Sequence, residues 1–252
     1  MPNDPDGVDL ASRSWTEVDA AGAVALLPVG STEPHGPHLP LDTDVLISVE
    51  AARRAARRLR AEGVPAFVLP AVSYTVTEFS KDFAGAMGVT PATLHALLDD
   101  LCAAALSSGF AAMCFVNSHL EPGHLAVLRE AAERAARRHG KPVIFPDKTR
   151  RRWAATLTEE FRSGACHAGQ YETSLVMAVH PERVDEKVRR ALPAFPVSIG
   201  LKIKEGARSF REAGGDQAYF GDPAAATAAE GDRSFEALAS MVVTEVREAL
   251  GR

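Results

Sequence analysis

The sequence predicts an α/β fold in which one central, mostly parallel sheet lies between two layers of helices. Short apolar runs alternate along the chain with longer segments that repeat apolar residues at helical spacing. Parallel strands need crossover connections, and helical crossovers cover both faces of the sheet. The composition, 46% hydrophobic and 24% charged in 252 residues, is that of a globular protein with a substantial core.

Four apolar runs predict the strands. Each is rich in aliphatic residues and is bounded by Gly, Pro or Asn, which interrupt regular structure. In chain order they are "AVALLPV" (23–29), "PAFVLPAVSY" (65–74), "AAMCFVN" (111–117) and "PVIFPD" (142–147).

The helices are predicted from amphipathic spacing together with start and stop signals. Thr90 followed by Pro91 is typical of a helix start, and Gly63, Gly109 and Gly140 mark helix ends. The predicted helices cover 44–63, 90–109, 123–140, 171 to Pro181, and most of 224–252. The Gly- and Pro-rich segment 191–222 is predicted to form ordered loops over one face.

Charge and composition exclude several classes of protein. The formal net charge of −5 does not favour a nucleic-acid partner, and the two Arg-rich stretches are interpreted as solvated faces of amphipathic helices. No apolar run is long enough for a membrane span, and the start of the chain does not resemble a secretory signal. The three separated cysteines favour a reducing compartment, which predicts a cytoplasmic protein. We expect an N-terminal extension at 1–20 and a single domain at 21–252.

Metal-capable side chains follow two of the predicted strands. Glu33-x-His35 comes after the first strand, and His119-x-Glu121, its mirror image, comes after the third. Residues two apart point the same way on an extended chain, so each pair can aim a carboxylate and an imidazole into one cleft. Asp44 stands at the expected start of a helix. A single such pair is usually a surface or helix-capping feature, but two mirrored pairs favour a metal site.

The charges in this cleft favour two divalent cations. Three carboxylates gathered without compensation would repel one another and take up protons. Two divalent ions and one bridging hydroxide balance them. A ligand set of nitrogen and oxygen without thiolate suits Zn, Mn or Fe.

A family resemblance adds to this interpretation. The segment "PVGSTEPHGPHLPLDTD" (28–44) closely resembles the signature of the creatininase family of metal-dependent amidohydrolases. "VNSHLE", "CHAGQYETS" and "GDPAAATAAEG" resemble its later motifs, so the resemblance covers about 23 to 245. It implies an α/β sandwich, a two-metal centre and, in many members, a ring-shaped homohexamer. We predict zinc as the preferred ion, a small-molecule substrate and a homohexameric assembly. Pro34 departs from the Gln of many members but removes no ligand.

The resemblance also implies roles for individual residues. Glu33 and His119 would bind one metal, His35 and Glu121 the other, and Asp44 would bridge them. His167 would act as a proton shuttle, with Glu172 beside it at the site. Independently of the resemblance, Phe79, Tyr219 and Phe220 lie in segments interpreted as substrate-facing loops and are predicted to contact substrate. His38, which follows Pro37, is predicted either to contact substrate or to brace its loop.

These features predict a hydrolase of a non-peptide C–N bond, in a small or cyclic amide. A metal-bridging hydroxide would attack the carbonyl, and His167 would protonate the leaving nitrogen. Two alternatives stay open. The same centre could act on a formamide, a small peptide or the ring of a keto-sugar-like substrate, or the protein could bind metal without turnover.

Overall fold

The core of the protein is one four-stranded sheet in which every pair of neighbours is parallel. The structure is a computed structural model that describes residues 6–252. The strand order is β2-β1-β3-β4. The strands are β1 (Val24–Val29), β2 (Ala66–Val68), β3 (Ala112–Asn117) and β4 (Val143–Ile144). The predicted parallel sheet is confirmed.

Helices follow and cover these strands. Thr90 begins the second helix as predicted, its side chain accepting a hydrogen bond from the Thr93 amide at 3.2 Å, and Gly140 ends the third in the left-handed conformation. Over 6–252 the α-helices are α1 (Thr43–Ala61), α2 (Pro91–Ser107), α3 (Pro122–His139), α4 (Arg151–Ala154), α5 (Glu159–Ser163), α6 (Gln170–Val179), α7 (Glu186–Ala191), α8 (Ile199–Lys204) and α9 (Ala228–Ala249).

The two faces of the sheet belong to different apolar clusters. Successive residues of a strand point to opposite faces, and β1 shows this directly. Val24 and Leu26 pack with apolar side chains of α1 and α9, while Ala25 and Leu27 pack with those of α2 and α3. The three-layer arrangement predicted from the sequence is therefore confirmed.

The order of the strands places a crevice between β1 and β3. The chain runs from β1 to β2 on one side and then returns to form β3 on the other side. The last pair in the register of β1 and β3 is Val29 with Asn117. In open α/β sheets, ligands bind outside the carboxyl ends of the strands at such a reversal. The segments with the two predicted metal motifs begin there, side by side.

The structure differs from the sequence prediction mainly at the sheet edges and in the 191–222 segment. β2 and β4 are edge strands and are much shorter than the apolar runs that predicted them, because Pro70 and Pro146 interrupt each run. The 191–222 segment contains the short helix α8 as well as loops. Within the described residues, no helix is both long and apolar enough to cross a membrane.

Candidate metal centre

The start of α1 is held against the carboxyl end of β1, and this places Asp44. A β-carbon on Gly30 would lie 2.6 Å from the Val45 amide nitrogen and 2.7 Å from the Asp44 carbonyl carbon, so only glycine allows this approach. The Ser48 hydroxyl lies 2.6 Å from the Val29 carbonyl oxygen and 2.7 Å from that of Asp44, which ties helix and strand together. The Asp44 carboxylate is consequently buried at the crevice.

A first group of ligand atoms comes from Glu33, Asp44 and His119. His119 Nδ1 lies 3.0 Å from Glu33 Oε1 and 3.2 Å from Asp44 Oδ2. The other ring nitrogen, Nε2, is 2.8 Å from the Val76 carbonyl oxygen, to which it donates. This hydrogen bond leaves the lone pair of the neutral ring on Nδ1, directed at the two carboxylates. Thr77 donates a short hydrogen bond to the other Glu33 oxygen.

A second group comes from His35, Asp44 and Glu172. His35 Nε2 lies 3.6 Å from Asp44 Oδ1 and 3.6 Å from Glu172 Oε2. His35 Nδ1 donates to the Glu33 carbonyl at 3.0 Å, which leaves the Nε2 lone pair for the site. The two oxygens of Asp44 thus face different groups, Oδ2 toward His119 and Oδ1 toward His35.

These two groups have the spacing and chemistry of metal sites. Ligand atoms about 2.0–2.1 Å from a tetrahedral ion lie roughly 3.3 Å apart, close to the four distances within the two groups. His35 Nε2 and Asp44 Oδ2 are buried and have no hydrogen-bond partner among the described residues. Burial lowers the pKa of His35, but Asp44, Glu172 and Glu33 outweigh it and raise that pKa to about 10. The same negative field favours divalent cations, so the residues fit two ions that share Asp44.

Glu121 was predicted to bind an ion beside His35. Among the described residues it lies outside the two groups above and outside a third group, which Glu33, His35 and His167 form. Its nearest ring nitrogen is His119 Nε2, at 4.0 Å, which is the nitrogen turned away from the cluster. One Glu121 oxygen instead accepts the Phe79 amide hydrogen at 3.1 Å. Glu172 lies beside His35 in this geometry, 3.6 Å from its Nε2, and the assignment of Glu121 to the second ion stays a prediction. Burial raises the pKa of Glu121.

Glu172 is held by its surroundings as a ligand would be. Its carboxylate accepts the Ala168 amide hydrogen at 2.7 Å, and Ala168 has a φ of +50°, uncommon for a residue other than glycine. Burial raises the pKa of Glu172 to about 7, although the positive charges of His35 and Lys148 act in the opposite direction. Lys148 is itself buried, with Nζ 5.8 Å from the centre of the Tyr171 ring. The sequence analysis did not identify Lys148, since no motif marks it.

His167 lies beside the second group. Its Nε2 donates to the Pro34 carbonyl at 3.0 Å, and its ring is sandwiched between His35 at 4.5 Å and Phe210 at 4.3 Å. Burial and the neighbouring His35 lower the pKa of His167 to about 4. The low pKa follows from desolvation of the ring and its closeness to His35, and the proton-shuttle role stays a prediction.

Several other predicted residues lie away from these groups. His38 is buried and shares a 2.9 Å hydrogen bond with the Thr173 hydroxyl, which connects its loop to α6. His124, in the first turn of α3, is fully buried, and its Nε2 lies 2.9 Å from Asn117 Oδ1. Tyr219 donates its hydroxyl to the Pro193 carbonyl at 2.8 Å, and Phe220 is completely buried.

A cavity of about 320 Å³ opens from the cluster. Of the four residues predicted to contact substrate, Phe79 lines it, whereas His38, Tyr219 and Phe220 are not among the described residues that do. The sequence analysis missed most of its walls because they come from short helices far along the chain. Beyond the metal-ligating groups, the lining includes Leu120, Glu121, Pro122, Phe161, Arg162, His167, Ile199, Ile203 and Phe210.

A parallel α/β sandwich with carboxylate–imidazole groups at its strand reversal has the ligand types of a metal-dependent hydrolase site. The sequence matches the family model "Creatininase: Creatinine amidohydrolase" over residues 11–246. The chain therefore belongs to the creatininase family of metal-dependent hydrolases.

Similar proteins include both peptidases and creatininases. The chain is 31% identical to a "Mycofactocin precursor peptide peptidase" of Mycobacterium tuberculosis, covering 94% of this chain and 90% of that protein. It is 28% identical to a "Creatinine amidohydrolase" of Pseudomonas putida, covering 71% of this chain and 74% of that one. Among solved structures, a creatinine amidohydrolase has a TM-score of 0.75 at 21% identity, covering 96% of this chain and 97% of the other. That likeness supports the fold.

Proposed function

We propose that this protein hydrolyses an amide C–N bond of a small substrate at a centre of two divalent ions. The observation that carries the proposal is the pair of three-residue ligand groups that share Asp44 at the wall of the cavity. Glu33, Asp44 and His119 would hold one ion, and His35, Asp44 and Glu172 the other, with zinc preferred over Mn or Fe. Such ions, when bound, polarise a carbonyl oxygen and lower the pKa of water.

Glu121 is the residue best placed to move protons. It lines the cavity, one of its oxygens is fixed by the Phe79 amide, and burial raises its pKa above the usual carboxyl value. As water adds to the carbonyl carbon, Glu121 accepts the proton that the water loses. It then donates that proton to the amide nitrogen as the C–N bond breaks, giving a carboxylic acid and an amine.

His167 has a different part in this scheme. With a pKa of about 4 it is neutral at pH 7, and its Nε2 proton is engaged by the Pro34 carbonyl. The neutral ring can accept a hydrogen bond from the substrate through Nδ1. It can also relay a proton between Glu121 and the leaving nitrogen, which keeps the shuttle hypothesis open as a prediction.

A short peptide is the second candidate substrate, and the cavity favours it over creatinine. The cavity lining includes the apolar side chains of Phe79, Phe161, Ile199 and Phe210, whereas creatinine is a small polar ring. Two of the compared relatives, at 31% and 32% identity, bear the name of a precursor peptide peptidase. We therefore propose two candidate substrate classes, a small or cyclic amide and the amide bond of a short peptide.

The test combines metal content with turnover. The purified, metal-reconstituted protein is offered creatinine, other cyclic amides, formamides and short peptides, with amine release as the readout. The proposal expects two metal ions per chain and hydrolysis of at least one amide class, abolished by a chelator and restored by the metal. Metal binding without turnover of any amide would favour a catalytically inactive metal-binding protein.

A further inference from the structure

The cavity extends beyond the metal cluster into a region with apolar walls. Phe161 of α5 forms one wall, Ile199 and Ile203 of α8 another, and Leu120 and Phe210 complete it. A polar substrate atom in this region would lose hydration without gaining hydrogen bonds. The region therefore fits an aliphatic or aromatic group of the substrate.

The two helical walls are tied together. The Ile199 amide donates to the Gly164 carbonyl at 2.9 Å, which joins the start of α8 to the end of α5. A β-carbon on Gly164 would lie 2.7 Å from the Ser198 hydroxyl, so the two segments are in close contact. Thr158 caps α5 by accepting the Phe161 amide hydrogen at 3.2 Å. These bonds give the apolar region a defined shape.

Arg162, an exposed residue, brings a positive charge to the lining of the cavity. It lines the cavity beside Phe161, and no lysine or second arginine does so among the described residues. Its Nη1 donates to the Leu157 carbonyl at 2.8 Å, which fixes one edge of the guanidinium. Over 6–252, no carboxylate forms an ion pair with it, in contrast to Arg152 and Arg183, which pair with Glu248 and Asp42. Its remaining donors are available to a ligand.

We infer that Arg162 is a specificity-determining residue that binds a carboxylate of the substrate. The substrate class is then an amide that carries an apolar group and a free carboxylate, such as the C-terminal residue of a short peptide. A guanidinium accepts a carboxylate through paired hydrogen bonds, which a neutral carboxamide reproduces poorly. The inference rests on the proposed function, because it assigns a substrate class to the same cavity.

Calorimetric titration of the metal-loaded full chain tests this inference. The probes are N-acetyl-phenylalanine and N-acetyl-phenylalaninamide, which differ only in the charged group. We expect the wild-type protein to bind the carboxylate roughly tenfold to a hundredfold more tightly than the carboxamide. Arg162→Gln should reduce this preference to within about threefold. Arg162→Lys should retain part of it, since lysine keeps the positive charge but lacks the paired N–H donors of the guanidinium. The preference should also weaken as salt is raised.

Two comparisons isolate the contribution of Arg162. The carboxylate of the probe can also contact the metal ions, and this contact contributes to binding in both the wild type and Arg162→Gln. The difference in preference between the two proteins therefore measures the contribution of Arg162. Arg233→Gln, an exposed arginine on α9 outside the cavity, should leave the preference unchanged. An equal preference in wild type and Arg162→Gln, or no binding of either probe at millimolar concentration, would overturn the inference. Because the readout is the ratio of two affinities and not amine release, failure in this titration is distinct from failure of the hydrolase proposal.

Discussion

Replacing Glu172 and Glu121 by glutamine separates metal binding from proton transfer. Glu172 contributes an oxygen 3.6 Å from His35 Nε2 and belongs to the second ligand group, whereas Glu121 belongs to none in the described residues. Glutamine keeps the shape of each side chain and removes its charge and its titration. Glu172→Gln should therefore lose one of two ions, while Glu121→Gln should keep both and lose turnover.

The magnitudes follow from the two roles. Loss of a residue that only hydrogen-bonds to a metal ligand lowers metal affinity about 10- to 100-fold. If Glu172 binds the ion directly, its loss should lower the affinity for that ion by more than about 100-fold. Loss of a general acid–base residue typically costs about 10²- to 10⁴-fold in rate, or about 2.7–5.4 kcal/mol of activation free energy. Glu121→Gln should show a fall of that size in kcat with full metal content.

Metal analysis after dialysis and steady-state rates on one hydrolysed amide give both quantities for each variant. Thermal melting controls for misfolding. If Glu121→Gln loses an ion while Glu172→Gln retains two, Glu172 is not the ligand of the second ion and the sequence-based assignment of Glu121 is right.

Four further predictions concern His167, Asp147, Gly30 and assembly. His167→Ala should retain both ions by metal analysis and slow turnover by about 10²- to 10⁴-fold if it relays a proton, whereas full activity on a poor leaving group would exclude that role. Burial raises the pKa of Asp147, but hydrogen bonds from Thr149 and Arg129 outweigh it and lower the pKa. The ionised carboxylate therefore stabilises the fold above the unfolded pKa of about 3.9, and this stabilisation is lost as pH falls through the depressed folded pKa. Asp147→Asn should lower the free energy of unfolding by about 1–3 kcal/mol at pH 7 and by less at pH 3, measured by urea denaturation. Gly30→Ala should lower the free energy of unfolding by about 1–3 kcal/mol in the same urea experiment and weaken metal binding, because the added carbon meets the backbone at Asp44. An unchanged denaturation curve would refute the claim that only glycine fits between β1 and α1. We also propose a homohexamer, which light scattering would contradict by giving the single-chain mass of 26.8 kDa.

The sequence was sufficient to predict the sheet, the long helices and the position of the site. Apolar runs and capping signals such as Thr90 and Gly140 are local, and the structure preserves them. The extents of β2 and β4 were overestimated because apolar character alone does not show where an edge strand loses its pairing partner. The helix α8 was missed because six residues give too short a pattern for helical periodicity.

The side chains that the structure brings together at the strand ends were only partly predictable. The spacing argument for His119 and Glu121 assumed an extended strand, but β3 ends at Asn117 and Glu121 is the residue that precedes α3. Beyond the strand, two-residue spacing no longer places side chains on one face. Which nitrogen of His119 is free depends on the Val76 carbonyl, 43 residues away in sequence, and no local pattern indicates that contact.

Anomalous diffraction from crystals of the protein as purified, recorded at the zinc, manganese and iron edges, tests the central claim most directly. The account predicts two anomalous peaks roughly 3.5 Å apart. One peak should contact Glu33 and His119, the other His35 and Glu172, and both should contact Asp44. A single peak, or a second ion bound by Glu121 with Glu172 unligated, would contradict it.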